Sequence, residues 1–289
     1  MPTITPRTTA AHPTPRSTSP RGIAPSGTDR LTITDLDGAA AFGTVLGVWA
    51  HPDDEAYLSA GLMALAAGAG NRVTCVTATR GEHGTGDPER WPPHRLARTR
   101  ELEITASMAI LGVHDHRFLE FEDGTLVDQD PTHGVAIVEQ LIEEVAPDTI
   151  VTFGPDGMTG HPDHRTVSSW VTRAWQRAGR PGALLYATTT ADFADEFADL
   201  HHDIAVFGDD LPLRTAASDV AVTVSLGGDL LDRKLAALRA QATQTAALMD
   251  MVGQDRFRCW WRNETFRHCA VDPACGHGPA LGSGVAREE

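Results

Sequence analysis

Lysine is nearly absent from this chain, which has Lys234 and no other lysine among its 24 Lys and Arg residues. The 39 acidic residues outnumber these, and the formal net charge is -15. Such an excess of negative charge is repelled by surfaces rich in phosphate. The composition therefore disfavours a nucleic acid or an anionic membrane surface as the main partner.

Cysteine is also scarce, with four residues in a chain of 289: Cys75, Cys259, Cys269 and Cys275. A disulfide framework is typical of much smaller chains. Cys75 lies within an apolar run and is expected to be a core residue. The other three include no Cys-x-x-Cys pair, so a structural metal site near the carboxyl terminus is the weaker alternative.

Long apolar runs are missing as well. No stretch approaches the length of a transmembrane helix, and the amino terminus lacks the apolar core of a signal peptide, so we expect a cytoplasmic protein. Residues 1–30, rich in Pro, Thr and Ser, are expected to be disordered, and residues 272–289 to form a flexible tail. The intervening residues 31–271 suffice for one domain with a substantial core.

Hydrophobic patterns predict strands at residues 72–79, 116–121, 184–189 and 220–224 and helices at residues 94–112, 133–146 and 228–252. Residues 31–37 are expected to form a short strand or an arm. The predicted buried face of the helix at residues 94–112 consists of Leu96, Leu102, Ile104, Met108 and Leu111. The acidic, irregular segment 191–213 is expected to be an insertion or a lid.

The first candidate site is His51-Pro52-Asp53-Asp54-Glu55. It follows an apolar run at residues 45–50, typical of a buried strand in a parallel sheet, and precedes a predicted helix at residues 56–69. Ligands bind at the carboxyl ends of such strands, and imidazole and carboxylates suit Zn²⁺ and related ions. The alternative is an acidic helix cap, in which Asp53 or Asp54 accepts backbone amides.

A second cluster repeats this order of strand, turn, His-Pro-Asp and helix. An apolar run at residues 149–153 precedes the glycine-rich residues 154–164, which end in His161-Pro162-Asp163-His164, and helical sequence resumes near Arg165. Two clusters at one edge of a sheet could pool their ligands, a His and an Asp from the first and a His from the second. Three protein ligands with an open fourth position are typical of a catalytic zinc site.

With these two motifs, Ala50-His51-Pro52-Asp53-Asp54-Glu55 and Gly160-His161-Pro162-Asp163-His164, the chain resembles the LmbE-like/PIG-L family of zinc-dependent N-deacetylases. The resemblance extends from about residue 43 to residue 245. It implies an α/β fold, a Rossmann-like three-layer sandwich with a mostly parallel sheet and the metal site at the carboxyl ends of the strands.

The resemblance also implies roles for individual residues. Asp53 would be the general base, His161 would assist the oxyanion, and Asp163 would orient or charge an imidazole. The implied cofactor is Zn²⁺, with Fe²⁺ or Mn²⁺ as alternatives. Its implied ligands are His51, Asp54 and His164.

Four residues are candidates for substrate binding on the same grounds: Arg80, Glu82, Arg98 and Asp123. Each has a simpler alternative. Glu82 could lie in an exposed polar loop, Arg98 could pair with Glu101 on the helix surface, and Asp123 could be an ordinary residue of an Asp-Gly turn.

Two positions depart from the family pattern. Some sugar deacetylases of the family carry a Tyr just before Gly-His-Pro-Asp-His, where this chain has Thr159. Residues 239–244 occupy the place of a His-x-x-Gln type segment but contain no His. The first departure weakens an assignment to the mycothiol-pathway branch, and the second argues against a role in the site for residues 239–244.

The expected function is that of a metal-dependent amidohydrolase that removes an acetyl or other acyl group from the nitrogen of an N-acetylglucosamine-type substrate. The expected partner is a small amino-sugar conjugate, and a homo-oligomer is left open. The alternatives are hydrolysis of another amide or of a phosphoester, or a non-catalytic metal-binding protein of the same fold. Asp53 and His161 argue against the last, since neither is needed merely to hold zinc.

Overall fold

The computed structural model describes residues 30–204 and 206–269. The predicted tails at residues 1–30 and 272–289, Cys275 included, lie outside this part of the chain, except for residue 30. The strands are β1 (Leu31–Ile33), β2 (Val45–Trp49), β3 (Val73–Thr79), β4 (Asp115–Phe121), β5 (Thr149–Phe153), β6 (Ala183–Thr188), β7 (Val222–Ser225) and β8 (Asn263–His268). The helices are α1 (Leu36–Ala39), α2 (Asp54–Leu58), α3 (Ala60–Gly68), α4 (Pro93–Leu111), α5 (Pro131–Val145), α6 (Pro162–Arg177), α7 (Ala191–Glu196), α8 (Ala198–Ile204), α9 (Gly228–Ala240), α10 (Ala242–Val252) and α11 (Gln254–Trp260).

The strands form a single mixed sheet in the order β1-β7-β8-β6-β5-β2-β3-β4. β8 is antiparallel to β6 and β7, and the other neighbouring strands are parallel. The chain passes from β2 to β3 and β4 on one side, whereas β5 pairs with the other edge of β2. β2 and β5 therefore flank the topological switch point, where open α/β sheets bind ligands. The predicted α/β architecture is confirmed.

The central strands are buried on both faces, which explains why β2, β3 and β5 lack an alternating pattern. Their threonines bond to neighbouring backbone. The Thr149 hydroxyl donates to the Phe42 carbonyl at 2.7 Å and the Thr152 hydroxyl to the Val48 carbonyl at 2.8 Å. Cys75 in β3 is fully buried, as expected. Flanking helices cover the sheet, with α4 and α3 packed on α9 and α5 packed on α6.

Several helix predictions need correction. The expected helix at residues 56–69 is divided at Ser59 into α2 and α3, and the one at residues 228–252 is divided at Gln241 into α9 and α10. Leu102, assigned to a buried face, is 72% exposed. Most of the irregular segment predicted after residue 190 forms α7 and α8. The described residues include no helix with the length and hydropathy to cross a membrane.

A buried ion pair ties the last strand to the helices beneath the site. The Lys234 ammonium on α9 donates to Glu264 Oε1 on β8 at 2.8 Å and to the Tyr57 carbonyl at 2.7 Å. The other donors to Glu264 are the amides of Gly61 and Leu62, at 2.8 and 2.9 Å. The Glu264 carboxylate thus caps α3 and neutralises Lys234. Because Lys234 also donates to the Tyr57 carbonyl on α2, these contacts hold α2, and with it the first motif, against the sheet.

Candidate active site

The first motif forms the turn between β2 and α2. Asp53 has a φ of 101°, unusual for a residue other than glycine. Its amide donates to Glu55 Oε2 at 3.0 Å, and its carbonyl accepts the Ala56 and Tyr57 amides. The side chain of Asp53 makes no capping hydrogen bond. The backbone, and not the carboxylate, therefore begins the helix, which leaves the carboxylate available for chemistry.

The three expected metal ligands converge at this turn. His51 Nδ1 lies 3.1 Å from His164 Nε2. Asp54 Oδ1 lies 3.4 Å from His164 Nε2, and Asp54 Oδ2 lies 3.7 Å from His51 Nδ1. All three residues are buried. Asp54 Oδ2 also accepts the His51 amide at 2.8 Å, which fixes the carboxylate within its own turn.

The other hydrogen-bond partners of the two imidazoles show which nitrogen of each ring carries the hydrogen. The remaining nitrogen of each ring then presents a lone pair to the other residue. His164 Nδ1 lies 2.9 Å from the Gly157 carbonyl, which can only accept, so the hydrogen of this ring is on Nδ1. His51 Nε2 lies 3.1 Å from Asp123 Oδ1 and 3.3 Å from Asp163 Oδ2, so its hydrogen is on Nε2. Two lone pairs and the Asp54 carboxylate therefore meet at one point. A cation suits this donor set, and two imidazoles with one carboxylate are ligands that Zn²⁺ accepts.

The second motif supplies His161 at the start of α6. Its Nδ1 accepts the Asp163 amide at 3.2 Å, so the hydrogen of this ring is on Nε2. The ring centre lies 4.9 Å from that of His51. His161 is exposed and lines a cavity that opens next to the three expected metal ligands. There it offers a hydrogen-bond donor.

Asp163 is fully buried beneath this site. Its carboxylate accepts the amides of Gly124 and Leu126 at 2.8 and 3.2 Å in addition to facing His51. Asp123 Oδ2 accepts the His83 amide at 2.9 Å, so this residue also has a fixed orientation. The structure therefore brings Asp123 to His51 as well as to the cavity wall.

Three of the four expected substrate-binding residues lie outside this cavity. Arg98 is exposed on the outer side of α4. Arg80 donates to Glu120 Oε1 at 2.8 Å, at the surface. Glu82 Oε1 accepts the Asp123 amide at 3.1 Å and so supports the wall from behind. Of the four candidates, the structure brings only Asp123 into the cavity.

The arginine that reaches the site is Arg100, which the sequence analysis did not select. It is buried, donates to the Gly81 carbonyl at 2.7 Å and to the Pro52 carbonyl, and lies 3.3 Å from Asp53 Oδ2. The spacing of Leu96, Arg100 and Ile104 indicated that Arg100 lies on the buried face of the helix, since residues four apart share a face.

A buried glutamine was also missed. Gln241 Nε2, at the break between α9 and α10, donates to Glu55 Oε1 at 2.6 Å. Glu55 Oε2 accepts the Asp53 amide, so Gln241 supports the strained turn at Asp53 through Glu55. Gln244, three residues further on, lines the cavity. The segment without the family's His therefore still contributes to the site.

The electrostatics of the site follow from burial and from its many acids. Burial raises the pKa of Asp53 to about 7, opposed by Arg100 and assisted by Asp54. Burial would lower the pKa of His51, but Asp123, Asp163 and Asp54 raise it to about 10. Burial lowers the pKa of His164 to about 4, opposed by Asp54. This environment favours a positive charge at the His51 ring, either as a second ring proton or as a cation beside Nδ1, and a neutral His164.

A cavity of about 480 Å³ opens above these residues, within the range of small-molecule sites. His51, Asp53, Asp54, His161 and His164 line one part of it. Val206 and Phe207, which follow α8, line another. The segment expected to be a lid therefore does contribute to the cavity wall.

Residues 46–175 match the family model described as PIG-L: GlcNAc-PI de-N-acetylase. The chain is 33% identical over 275 residues to a 1D-myo-inositol 2-acetamido-2-deoxy-alpha-D-glucopyranoside deacetylase of Mycolicibacterium vanbaalenii, with 85% of this chain and 93% of that protein covered. The enzyme of the same name from Kineococcus radiotolerans is 36% identical over 167 residues, which span 48% of this chain and only 46% of that protein.

A solved structure of a deacetylase triple mutant from the teicoplanin biosynthetic pathway has a similar fold. The TM-score is 0.59 at 18% identity, with 78% of this chain and 97% of that chain covered. At this identity the likeness concerns the fold alone.

Proposed function

The chain belongs to the PIG-L family of GlcNAc-PI de-N-acetylases, and from that premise we propose that it is a metal-dependent amidohydrolase that releases the acetyl group from an N-acetylglucosamine-type conjugate and leaves a free amine. The observation that carries the proposal is the convergence of His51 Nδ1, His164 Nε2 and Asp54 at the switch point of the sheet. The relatives described above are named as deacetylases of a small amino-sugar conjugate, and the substrate proposed here is of that class.

The metal would be held by His51, Asp54 and His164, with Zn²⁺ proposed first and Fe²⁺ or Mn²⁺ as alternatives. When bound, such an ion would polarise the amide carbonyl and lower the pKa of a bound water to about 7. Asp163 and Asp123 hold the His51 ring with Nδ1 toward His164 and Asp54, an orientation that would support metal affinity.

Asp53 is the proposed general base. Its carboxylate is not used as a helix cap, and its elevated pKa suits a group that accepts a proton from water and returns it to the leaving amine near neutral pH. Arg100 and Glu55 act as positioning residues. The guanidinium contacts the Asp53 carboxylate, and Glu55 holds the Asp53 amide.

His161 is the proposed donor to the developing oxyanion. Because its Nδ1 accepts the Asp163 amide, Nε2–H is the free donor at the cavity surface. Thr159 also lines the cavity, and its hydroxyl lies 3.3 Å from the protonated Nδ1 of His164, from which it accepts. Removal of an oxyanion donor typically lowers turnover by ~100-fold to 1,000-fold.

The test is amine release from N-acetylglucosaminyl-inositol, N-acetylglucosamine and diacetylchitobiose by enzyme stripped of metal and then reloaded with zinc. We expect release only after reloading. Asp53→Asn should retain zinc and lose most of its turnover, since only the base is removed. Loss of zinc in Asp53→Asn would make Asp53 a ligand and overturn its assigned role.

Metal content gives the matching control. His51→Ala and His164→Ala should each lower bound zinc below one ion per chain, whereas His94→Ala, an exposed position outside the cavity, should bind zinc as the wild type does. Zinc-dependent phosphate release from p-nitrophenyl phosphate, with no amine from any amide, would move the assignment to a phosphoesterase.

A further inference from the structure

One side of the cavity is apolar, and the proposed catalytic machinery does not use it. We call this side the apolar wall. It includes buried residues next to the machinery and partly exposed ones at the mouth. Its members are Leu58, Met158, Val206, Phe207, Leu248, Trp260 and Trp261.

Two indole rings belong to the buried part of the apolar wall. The ring centres of Trp260 and Trp261 lie 4.9 Å apart, and those of Tyr57 and Trp261 lie 4.6 Å apart. Both indoles are buried, and their N–H groups are shielded from solvent. The parts of these rings that line the cavity therefore offer apolar surface, which suits an apolar group of a ligand.

Polar partners for a polyol are scarce in the same cavity. Apart from the residues given catalytic, positioning or metal-binding roles, the polar side chains lining it belong to Tyr57, His83, Thr159 and Gln244. Each hydroxyl buried without a partner weakens binding, because its hydrogen bonds to water are lost and not replaced. A cyclitol, with a hydroxyl on each free carbon, would leave several unpaired against the apolar wall.

The exposure of the side chains increases along the apolar wall. Leu58, Met158, Trp260 and Trp261 are buried, whereas Val206 is 43% exposed and Phe207 and Leu248 are partly exposed. Apolar surface therefore continues from the depth of the cavity to its mouth. The acetyl group must lie at the metal ligands, so the group that follows this surface outward is the aglycone at the other end of the sugar.

We propose that the amino sugar recognised by this chain carries an apolar aglycone, an aryl or alkyl group, in place of a cyclitol. This inference rests on the proposed deacetylase function and narrows its substrate class. Burial of an aryl group against such a wall removes apolar surface from water, and we expect a preference of at least about tenfold.

The experiment compares phenyl N-acetylglucosaminide with N-acetylglucosaminyl-inositol, using zinc-loaded full-length enzyme. We expect kcat/KM for amine release to be at least about tenfold higher for the phenyl compound. Binding of both compounds to zinc-loaded Asp53→Asn, measured by calorimetry, gives a second readout that does not require turnover. The phenyl compound should bind more tightly by a similar factor.

Variants of the apolar wall test whether it causes the preference for the phenyl compound. Leu248→Ser and Phe207→Ser should each lower the phenyl-to-inositol ratio, whereas the control Leu102→Ser, on the exposed side of α4, should keep the wild-type ratio. A ratio of one or less in both turnover and binding would overturn the inference and leave the deacetylase function standing. Tighter phenyl binding without any amine release would keep the inference and overturn the function. Binding of neither compound would overturn both.

Discussion

Removal of the single lysine should destabilise the fold far more than loss of a surface ion pair. Lys234 and Glu264 are both fully buried, and their charged atoms lie 2.8 Å apart. Burial lowers the pKa of Lys234, and the Glu264 charge opposes that shift. Removing one partner of a buried pair typically costs about 3–5 kcal/mol, because the other charge is left without compensation.

The two possible deletions should differ in size. Lys234→Met leaves Glu264 with the Gly61 and Leu62 amides as donors, so we expect a loss near the lower limit, about 3 kcal/mol. Glu264→Leu leaves a buried ammonium and also removes the acceptor of both amides, each of which costs about 1–3 kcal/mol when unsatisfied. We therefore expect a loss of about 5 kcal/mol or more for this variant.

Urea unfolding at pH 7, followed by tryptophan fluorescence in the presence of a chelator, measures these differences without a contribution from bound metal. The matched control is Arg214→Met, which breaks the exposed pair with Asp195 and should cost less than about 1 kcal/mol. The reasoning would be refuted by a Lys234→Met variant as stable as the control, or by a Glu264→Leu variant more stable than Lys234→Met.

Three further predictions concern the site and its pH response. Arg100→Lys should lower kcat at least about tenfold, because a lysine cannot reproduce its contacts with Gly81, Pro52 and Asp53, whereas kinetics should show no change in Arg98→Lys. A chelator should lower the Tm of the wild type but not that of His164→Ala, because a ligand bound only to the native state stabilises it; equal shifts would place the metal elsewhere. Burial lowers the pKa of His116 to about 4, opposed by Asp115, so the unfolded chain binds the extra proton between about pH 6.5 and 4. The free energy of unfolding should therefore fall as the pH falls through that window, by about 3 kcal/mol, and chemical denaturation of His116→Gln should show a smaller fall.

The two His-Pro-Asp motifs could be placed from sequence because their information is local. Each follows a run of buried residues and precedes a helix, and parallel strands end at the same edge of the sheet. The pairing of β2 with β5 then brings His51 within 3.1 Å of His164, although 113 positions separate them.

The arginine of α4 could not be placed in the same way. Arg98 and Arg100 are two residues apart and lie about 200° apart around a helix, so a small error in the phase of the apolar face exchanges them. The resemblance pointed to Arg98 through the spacing of Arg98 and Glu101, and the apolar face did not correct this choice, because Leu102 was predicted to be buried and is exposed.

The break at Gln241 was also beyond the sequence pattern, because its side chain is held by Glu55 from a distant helix. The apolar periodicity of residues 228–252 continues across the break and predicts one helix. Asp123 was assigned to substrate alone because its contact with His51 depends on how the loop after β4 reaches across β3 to β2.

The most direct test of the metal-dependent deacetylase is a zinc titration of metal-free enzyme, with amine release from an N-acetylglucosaminide recorded after each addition. We predict activity that rises in proportion to added zinc and stops rising at one equivalent per chain, with no such rise in His164→Ala. Full activity in the metal-free enzyme, or the same titration curve in His164→Ala, would contradict the account.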